Sequence, residues 1–313
     1  MNKILSLIIS GFFSLSLIPS DSLAQEESTM IAGTKISLIP PQGFVSATRF
    51  PGYQQEETNS SIVVTEIPAS ISELASGLTN AEELSKKGMV LLQQEIVKVN
   101  QQDAILINVQ QSAYGTEFNK WILLLGNQTE SVLLTATFPQ ELASDYSESL
   151  KKSLLTVQWN QTQTAVATDG LEFTLEENGD LKLAQRLGNS LIYTKNGVFP
   201  AKSINDPFFV VAPSVAPQYQ ELEDFARQRL LKTDNLTEIE IETGNQIVIN
   251  NLDGYEIIGV GKNIKSRNLV SIYQVILSEE NDYYYLMQGQ VNTRYNSQYL
   301  PLFKKLAVSF QKK

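Results

Sequence analysis

The chain closes the same way twice. Residues 146–158 read YSESLKKSLLTVQ and residues 299–311 read YLPLFKKLAVSFQ. They align without a gap: Tyr146 with Tyr299, Lys151 with Lys304, Lys152 with Lys305, Gln158 with Gln311. A chain built this way folds as one unit laid down twice, and the segments between repeat in the same order. KISLI (35–39) is answered by LEFTL (171–175), and SIVVTEI (61–67) by FFVVA (208–212). QDAILINVQQ (102–111) is answered by LDGYEIIGVG (252–261), with Asp253 in the place of Asp103. KWILLLG (120–126) matches SIYQVILS (271–278), Tyr273 standing for Trp121, and SVLLTATF (131–138) matches YYYLMQGQV (283–291). Alternating or β-branched runs of this length are strands.

A helix is predicted from an Asn80 cap, with Glu83 three residues on and Ala81, Leu84, Gly88 and Leu91 on one face. A second is predicted over 221–231, with Leu222, Phe225, Ala226 and Leu230 sharing a face. EIEIE (238–242) and IVINN (247–251) read as strands around a turn. The period is far too long for a 20–50-residue solenoid, and 313 residues suit two domains. The expected organisation is a signal peptide at 1–24, a flexible tail at 25–33, a first α+β domain at 34–159, a Thr-rich linker at 160–170 and a second α+β domain at 171–313.

The leader is read from Lys3, the apolar run ILSLIISGFFSLSLI (4–18), Pro19, and small residues SLA (22–24) before Gln25. It directs the chain out of the cytoplasm, to the periplasm or, alternatively, beyond the cell. No stable membrane anchor is expected after cleavage. The chain has no Cys and no His. Disulfides, thiolate metal sites, Ser–His and Cys–His nucleophile pairs and His-bearing zinc sites are therefore excluded. A net charge of −10 argues against nucleic acid as a partner.

The run IPPQGFVSATRFPGY (39–53), then SSIVVTEIP (60–68), a helix, GTEFNKWILLLG (115–126) and VLLTATFP (132–139) resemble the PsbP-like family. The likeness covers both halves, the first better than the second. It implies an antiparallel sheet with helices on both faces, a PsbP-like α/β/α sandwich, in two tandem copies. It also implies a binding or assembly module rather than an enzyme. No metal position of the family transfers to this sequence, and no cofactor is expected.

Several local patterns suggest chemistry. GVGK (259–262) lacks the first glycine and the Ser/Thr of a phosphate loop, and reads as a strand. Glu238, Glu240 and Glu242 alternate onto one strand face; calcium could use them, but with no calcium loop beside them they read as a solvated outer face. Glu56, Glu57, Glu66, Asp103 and Glu117 are the carboxylates available to an acid–base hydrolase. YYYLM (283–287) reads as core. The candidate binding segment is TRFPGYQQEETNSS (48–61), read as a loop insertion of the first copy, with Arg49, Phe50, Tyr53, Glu56 and Glu57 as contact residues, because Arg and aromatics dominate interface hot spots. The expected function is an exported, non-catalytic binding or assembly module of the bacterial envelope with a protein partner. The alternatives are a small-ligand carrier or a carboxylate-based hydrolase.

Overall fold

A computed structural model describes residues 27–113, 115–203, 205–215, 221–279 and 283–313. The leader read at 1–24 lies outside the described residues. The first copy runs β1 (Thr29–Met30), β2 (Ile36–Leu38), β3 (Val45–Ser46), β4 (Gly52–Gln55), β5 (Ser60–Ile67), α1 (Ile71–Leu78), α2 (Ala81–Ser85), β6 (Met89–Val99), β7 (Gln102–Ala113), β8 (Thr116–Gly126), β9 (Ser131–Pro139), α3 (Ala143–Leu155) and β10 (Gln158–Trp159). The second runs β11 (Phe173–Thr174), β12 (Leu181–Leu187), β13 (Ser190–Lys195), β14 (Phe208–Val215), α4 (Leu222–Leu231), β15 (Leu236–Ile249), β16 (Leu252–Asn263), β17 (Leu269–Ser278), β18 (Tyr283–Asn292), α5 (Asn296–Val308) and β19 (Gln311–Lys312).

Two separate seven-stranded antiparallel sheets result. Their orders are β3-β4-β5-β9-β8-β7-β6 and β12-β13-β14-β18-β17-β16-β15, the same order strand for strand. The duplication read in the sequence is thus a duplication of topology. Alternation sends each strand's side chains to two helical layers. In the first copy, Trp121, Leu123, Leu134 and Phe138 meet Leu150 and Leu154 of α3, while Ile107, Val109 and Ile122 meet Leu84 of α2. In the second, Tyr273, Tyr285 and Met287 lie under Phe303 and Leu306 of α5, and Ile257, Ile272 and Tyr284 under Ala226 and Leu230 of α4. Tyr284 and Tyr285 take opposite faces, as neighbours on a strand do, and both are core.

The repeated lysine has a repeated task. Lys151 lies 4.7 Å over the Trp121 ring and 2.7 Å from Glu95. Lys304 lies 5.9 Å over Tyr273 and 3.0 Å from Glu256.

Four local expectations are corrected. The helix capped by Asn80, whose Oδ1 accepts from the Glu82 and Glu83 amides, stops at Ser85. Gly88 is not a helical contact position: its φ of +71° ends the turn, and Leu91 belongs to strand β6. Residues 238–251 form no turn between two short strands, because β15 runs unbroken to Ile249 with two bulges. The segment 48–61 is not peculiar to the first copy. It holds β4 and much of the β3–β4 hairpin, whose counterpart is the β12–β13 hairpin. Finally, the tail is tied down from Thr29 by pairing with β2, and Ile31 is buried.

Candidate functional site

The two sheets approach through unequal edges. β4 covers β5 only as far as Val63, opposite Gly52. The Val64 amide donates to the Pro51 carbonyl at 2.8 Å, and no described strand pairs with Thr65–Ile67 on that side. Facing this open end is β12, the edge strand of the second sheet. The β12–β13 turn touches it, since a Cβ on Gly188 would sit 3.4 Å from Thr65 Oγ1. Between the two edges and the 160–170 segment is a groove of about 530 Å³, walled by Lys35, Glu66 and Glu130 on one side, Gln185 and Arg186 on the other, and Gln163 and Thr164 at the rim. That volume falls in the range of ligand sites, ~300–1,000 Å³.

Arg186 is the residue on which the groove is built. It is only 7% exposed. Its Nε donates to the Gly188 carbonyl at 2.8 Å, and its Nη1 to the Asp169 and Ala167 carbonyls at 2.6 and 3.1 Å. Nη2 has no hydrogen-bond partner, and no carboxylate forms an ion pair with the guanidinium among the described residues. Burial pushes its pKa down to about 10, against the opposing pull of Asp169 and Glu66. The first copy makes room for it with Gly33: a Cβ there would lie 1.9 Å from Nη1, and φ is +74°. Arg186 thus joins the second sheet, the linking segment and the start of the first copy.

Across the groove, Glu66 Oε2 accepts from the Lys35 amide at 3.2 Å. Lys35 Nζ is 2.9 Å from Glu130 Oε2 and 3.7 Å from Glu66 Oε1. Glu66 Oε1 is buried without a hydrogen bond. Burial raises the Glu66 pKa above the usual carboxylate range; the Lys35 amide and ammonium work against this, and Glu130 adds to it. Behind the two walls lie two buried polar atoms without a hydrogen bond, Arg186 Nη2 and Glu66 Oε1, and the lining carries two cations and two anions overall.

The sequence-chosen contact residues do not converge. Arg49 reaches out of the first copy, its Nη1 2.9 Å from Glu279 Oε2 and its guanidinium 3.7 Å over the Tyr283 ring. Glu279, 5% exposed, also takes Lys312. Burial lifts the Glu279 pKa, but hydrogen bonds from Arg49 and Lys312 outweigh it and hold the carboxylate below its ordinary value. Arg49 is a clasp between the copies. Tyr53 is core, its hydroxyl donating to the Thr29 carbonyl at 3.3 Å. Phe50 is half-buried, and Glu56 and Glu57 stand exposed on a 3-10 turn. Of the five carboxylates considered for hydrolysis, only Glu66 lines the groove. Asp103 pairs with Lys98 at 2.7 Å, and Glu117 accepts from Ser112 Oγ at 2.5 Å. Among the described residues no group of three or more Asp and Glu is placed to hold a metal.

Arg186 and its hairpin were not singled out from the sequence. The signal was the Gly188–Asn189 pair between LKLAQRL and SLIYTK, a two-residue hairpin turn.

No family model matches the chain, and neither does any curated protein. Solved structures do. One is LpqN of Mycobacterium tuberculosis, involved in cell envelope biogenesis, at 12% identity, covering 44% of this chain and 82% of that one, TM-score 0.35. A PsbP is among them. The PsbP of the cyanobacterium Synechocystis matches at 10% identity over 45% of this chain and 82% of its own, TM-score 0.28. The T6SS immunity protein TplEi of Pseudomonas aeruginosa matches at 10% identity over 91% of this chain and 98% of its own, TM-score 0.33.

Proposed function

We propose that the protein is an exported, non-catalytic binding or assembly module of the bacterial cell envelope, working in the periplasm, that receives a protein partner in the groove between its copies. One observation carries the reading. The groove is lined from both copies, and its Arg186 is a buried guanidinium held only by carbonyls, with a donor to spare. A buried charge of this kind is costly unless something completes it. Its acids, Glu66 and Glu130, are both engaged with Lys35. With no His or Cys in the chain, binding is the chemistry these residues serve best. The leader supports export, and no helix among the described residues is long and apolar enough to cross a membrane.

The test is affinity purification from the native envelope fraction with mass spectrometry, using the wild type and Thr164→Trp. Thr164 is exposed at the groove rim, so a tryptophan there fills the groove without touching either core. A partner captured by the wild type and lost by the variant is the expected result. No specific partner, or one retained in full by the variant, contradicts the proposal.

A further inference from the structure

We infer that one end of the second copy docks reversibly on an anionic phospholipid surface, with Leu231, Ile264 and Leu269 entering the bilayer interface and a headgroup phosphate held between Arg229 and Lys265.

The first observation is charge. This end is built from the close of α4 with the turn into β15 (229–238) and from the β16–β17 turn with its flanks (262–269). The two stretches meet: the Ile264 amide donates to the Asn235 carbonyl at 2.9 Å, and Leu236 pairs with Asn263. Together they carry five cations, Arg229, Lys232, Lys262, Lys265 and Arg267, and two acids, Asp234 and Glu238, in a chain whose net charge is −10. Glu238 is shared between Lys262 at 3.5 Å and Arg267 at 3.7 Å. Arg229, Lys232 and Lys265 make no ion pair among the described residues. Salt screens charges beyond about 8 Å at physiological ionic strength, so a surface brought up to this end meets the local positive excess and not the acidic whole. The duplication did not supply that excess. The β7–β8 turn of the first copy (111–117) has no Lys or Arg and closes on Glu117.

The second is apolar. Leu231, Ile264 and Leu269 are each a little over half exposed. A large apolar side chain exposed singly needs no explanation. Three set among five cations have the make-up of a membrane-interface surface, with apolar groups at the acyl boundary and Lys and Arg at the phosphates. The turn that presents Ile264 is already ordered, since Asn263 Oδ1 accepts from the Lys265 and Ser266 amides at 3.1 and 2.9 Å. Docking therefore costs little further ordering.

The third is a hollow beside that turn, about 470 Å³, with Arg229 and Lys265 in its walls and Gln288 and Gln290 in its floor. The floor is fixed: Gln288 Nε2 donates to Thr233 Oγ1 at 3.1 Å and to Gln274 Oε1 at 3.2 Å, and Gln290 Nε2 donates to Gln288 Oε1 at 3.0 Å. Asp234 is the one acid of the lining, so a phosphate there meets two cations against a single carboxylate. Contact of this kind needs no membrane span.

The test sediments the chain from Gln25 onward, without the leader, with vesicles of phosphatidylglycerol and phosphatidylcholine in equal parts and with vesicles of phosphatidylcholine alone. Binding to the first, falling as salt is raised, and little binding to the second are expected. Lys265→Gln should weaken binding about fivefold, the worth of one basic residue near an anionic surface. Ile264→Ser should weaken it by a similar factor through lost apolar burial. Both side chains are exposed, so the fold survives either change. Val248→Ser, at the other end of β15, should bind as the wild type does. So should Thr164→Trp, which separates this surface from the groove. Equal binding to both kinds of vesicle, no binding to either, or undiminished binding by Lys265→Gln and Ile264→Ser overturns the inference. Calorimetry with free glycerol phosphate covers the remaining case: uptake of it without any vesicle binding, indifferent to Ile264→Ser, would identify a soluble phosphate as the ligand and refute docking.

Discussion

Arg49→Ala should uncouple the two copies. In the wild type Arg49 makes a charged hydrogen bond to Glu279 at 2.9 Å and stacks 3.7 Å over Tyr283. A hydrogen bond to a charged group is worth about 1.5–3 kcal/mol. The low end applies, because Arg49 is 25% exposed and Glu279 keeps Lys312 after the change. The cation–π contact adds about 0.5–1 kcal/mol at this exposure. The expected loss is about 2 kcal/mol, or ~4–8 °C in Tm for a domain-sized cooperative unit. Urea unfolding at neutral pH measures it, with Arg49→Lys recovering part of the loss. The pH dependence fixes the cause. Glu279 has a depressed pKa in the folded protein, so its contribution is present above the ordinary carboxylate pKa and disappears as pH falls through the depressed value. The gap between wild type and variant should therefore shrink in acid to the ~0.5–1 kcal/mol of the cation–π contact. A loss under about 0.3 kcal/mol at neutral pH, within the spread of ordinary surface substitutions, or a gap that does not shrink once Glu279 is protonated, would refute the clasp.

Other outcomes follow from the same contacts. Gly33→Ala should cost about 2 kcal/mol or more in urea unfolding, because a Cβ would lie 1.9 Å from Arg186 Nη1 at a φ of +74°. Lys151→Ala should cost about 1 kcal/mol and Lys304→Ala about half as much, since Lys151 is nearer its ring and 23% exposed against 42%. Glu66→Gln should make the protein more stable at neutral pH and leave it unchanged in acid. A carboxyl whose folded pKa is raised stabilises below its unfolded pKa and loses that contribution as pH rises through the folded one; thermal melts across pH read this directly.

The architecture was legible because it is written twice. Strands such as KWILLLG and SIYQVILS are short apolar runs, buried on both faces, that read singly as central strands, and the shared LysLys helices fix their order. Errors came where local patterns are degenerate. Ala81, Leu84, Gly88 and Leu91 have helical spacing, but Gly88 adopts a left-handed turn and the next residues pair with β7. The β12–β13 hairpin went unread although Gly188–Asn189 announces it. The groove was not legible at all. Arg186 in LKLAQRL looks like any solvent-facing arginine of an edge strand. It is buried only because the carbonyls of Ala167 and Asp169 and the backbone of Gly33, distant in sequence, close around it. Arg49, a candidate contact residue because arginine is frequent at interfaces, meets a ring and a carboxylate of the other copy of the same chain.

The groove as binding surface is tested most directly by photocrosslinking in the native envelope, with benzoylphenylalanine placed at Thr164 on the rim or at Val248, exposed on the remote edge strand β15. Adducts to one partner protein from position 164 and none from 248 are predicted. Adducts from 248 with none from 164 would place the partner elsewhere and contradict the account.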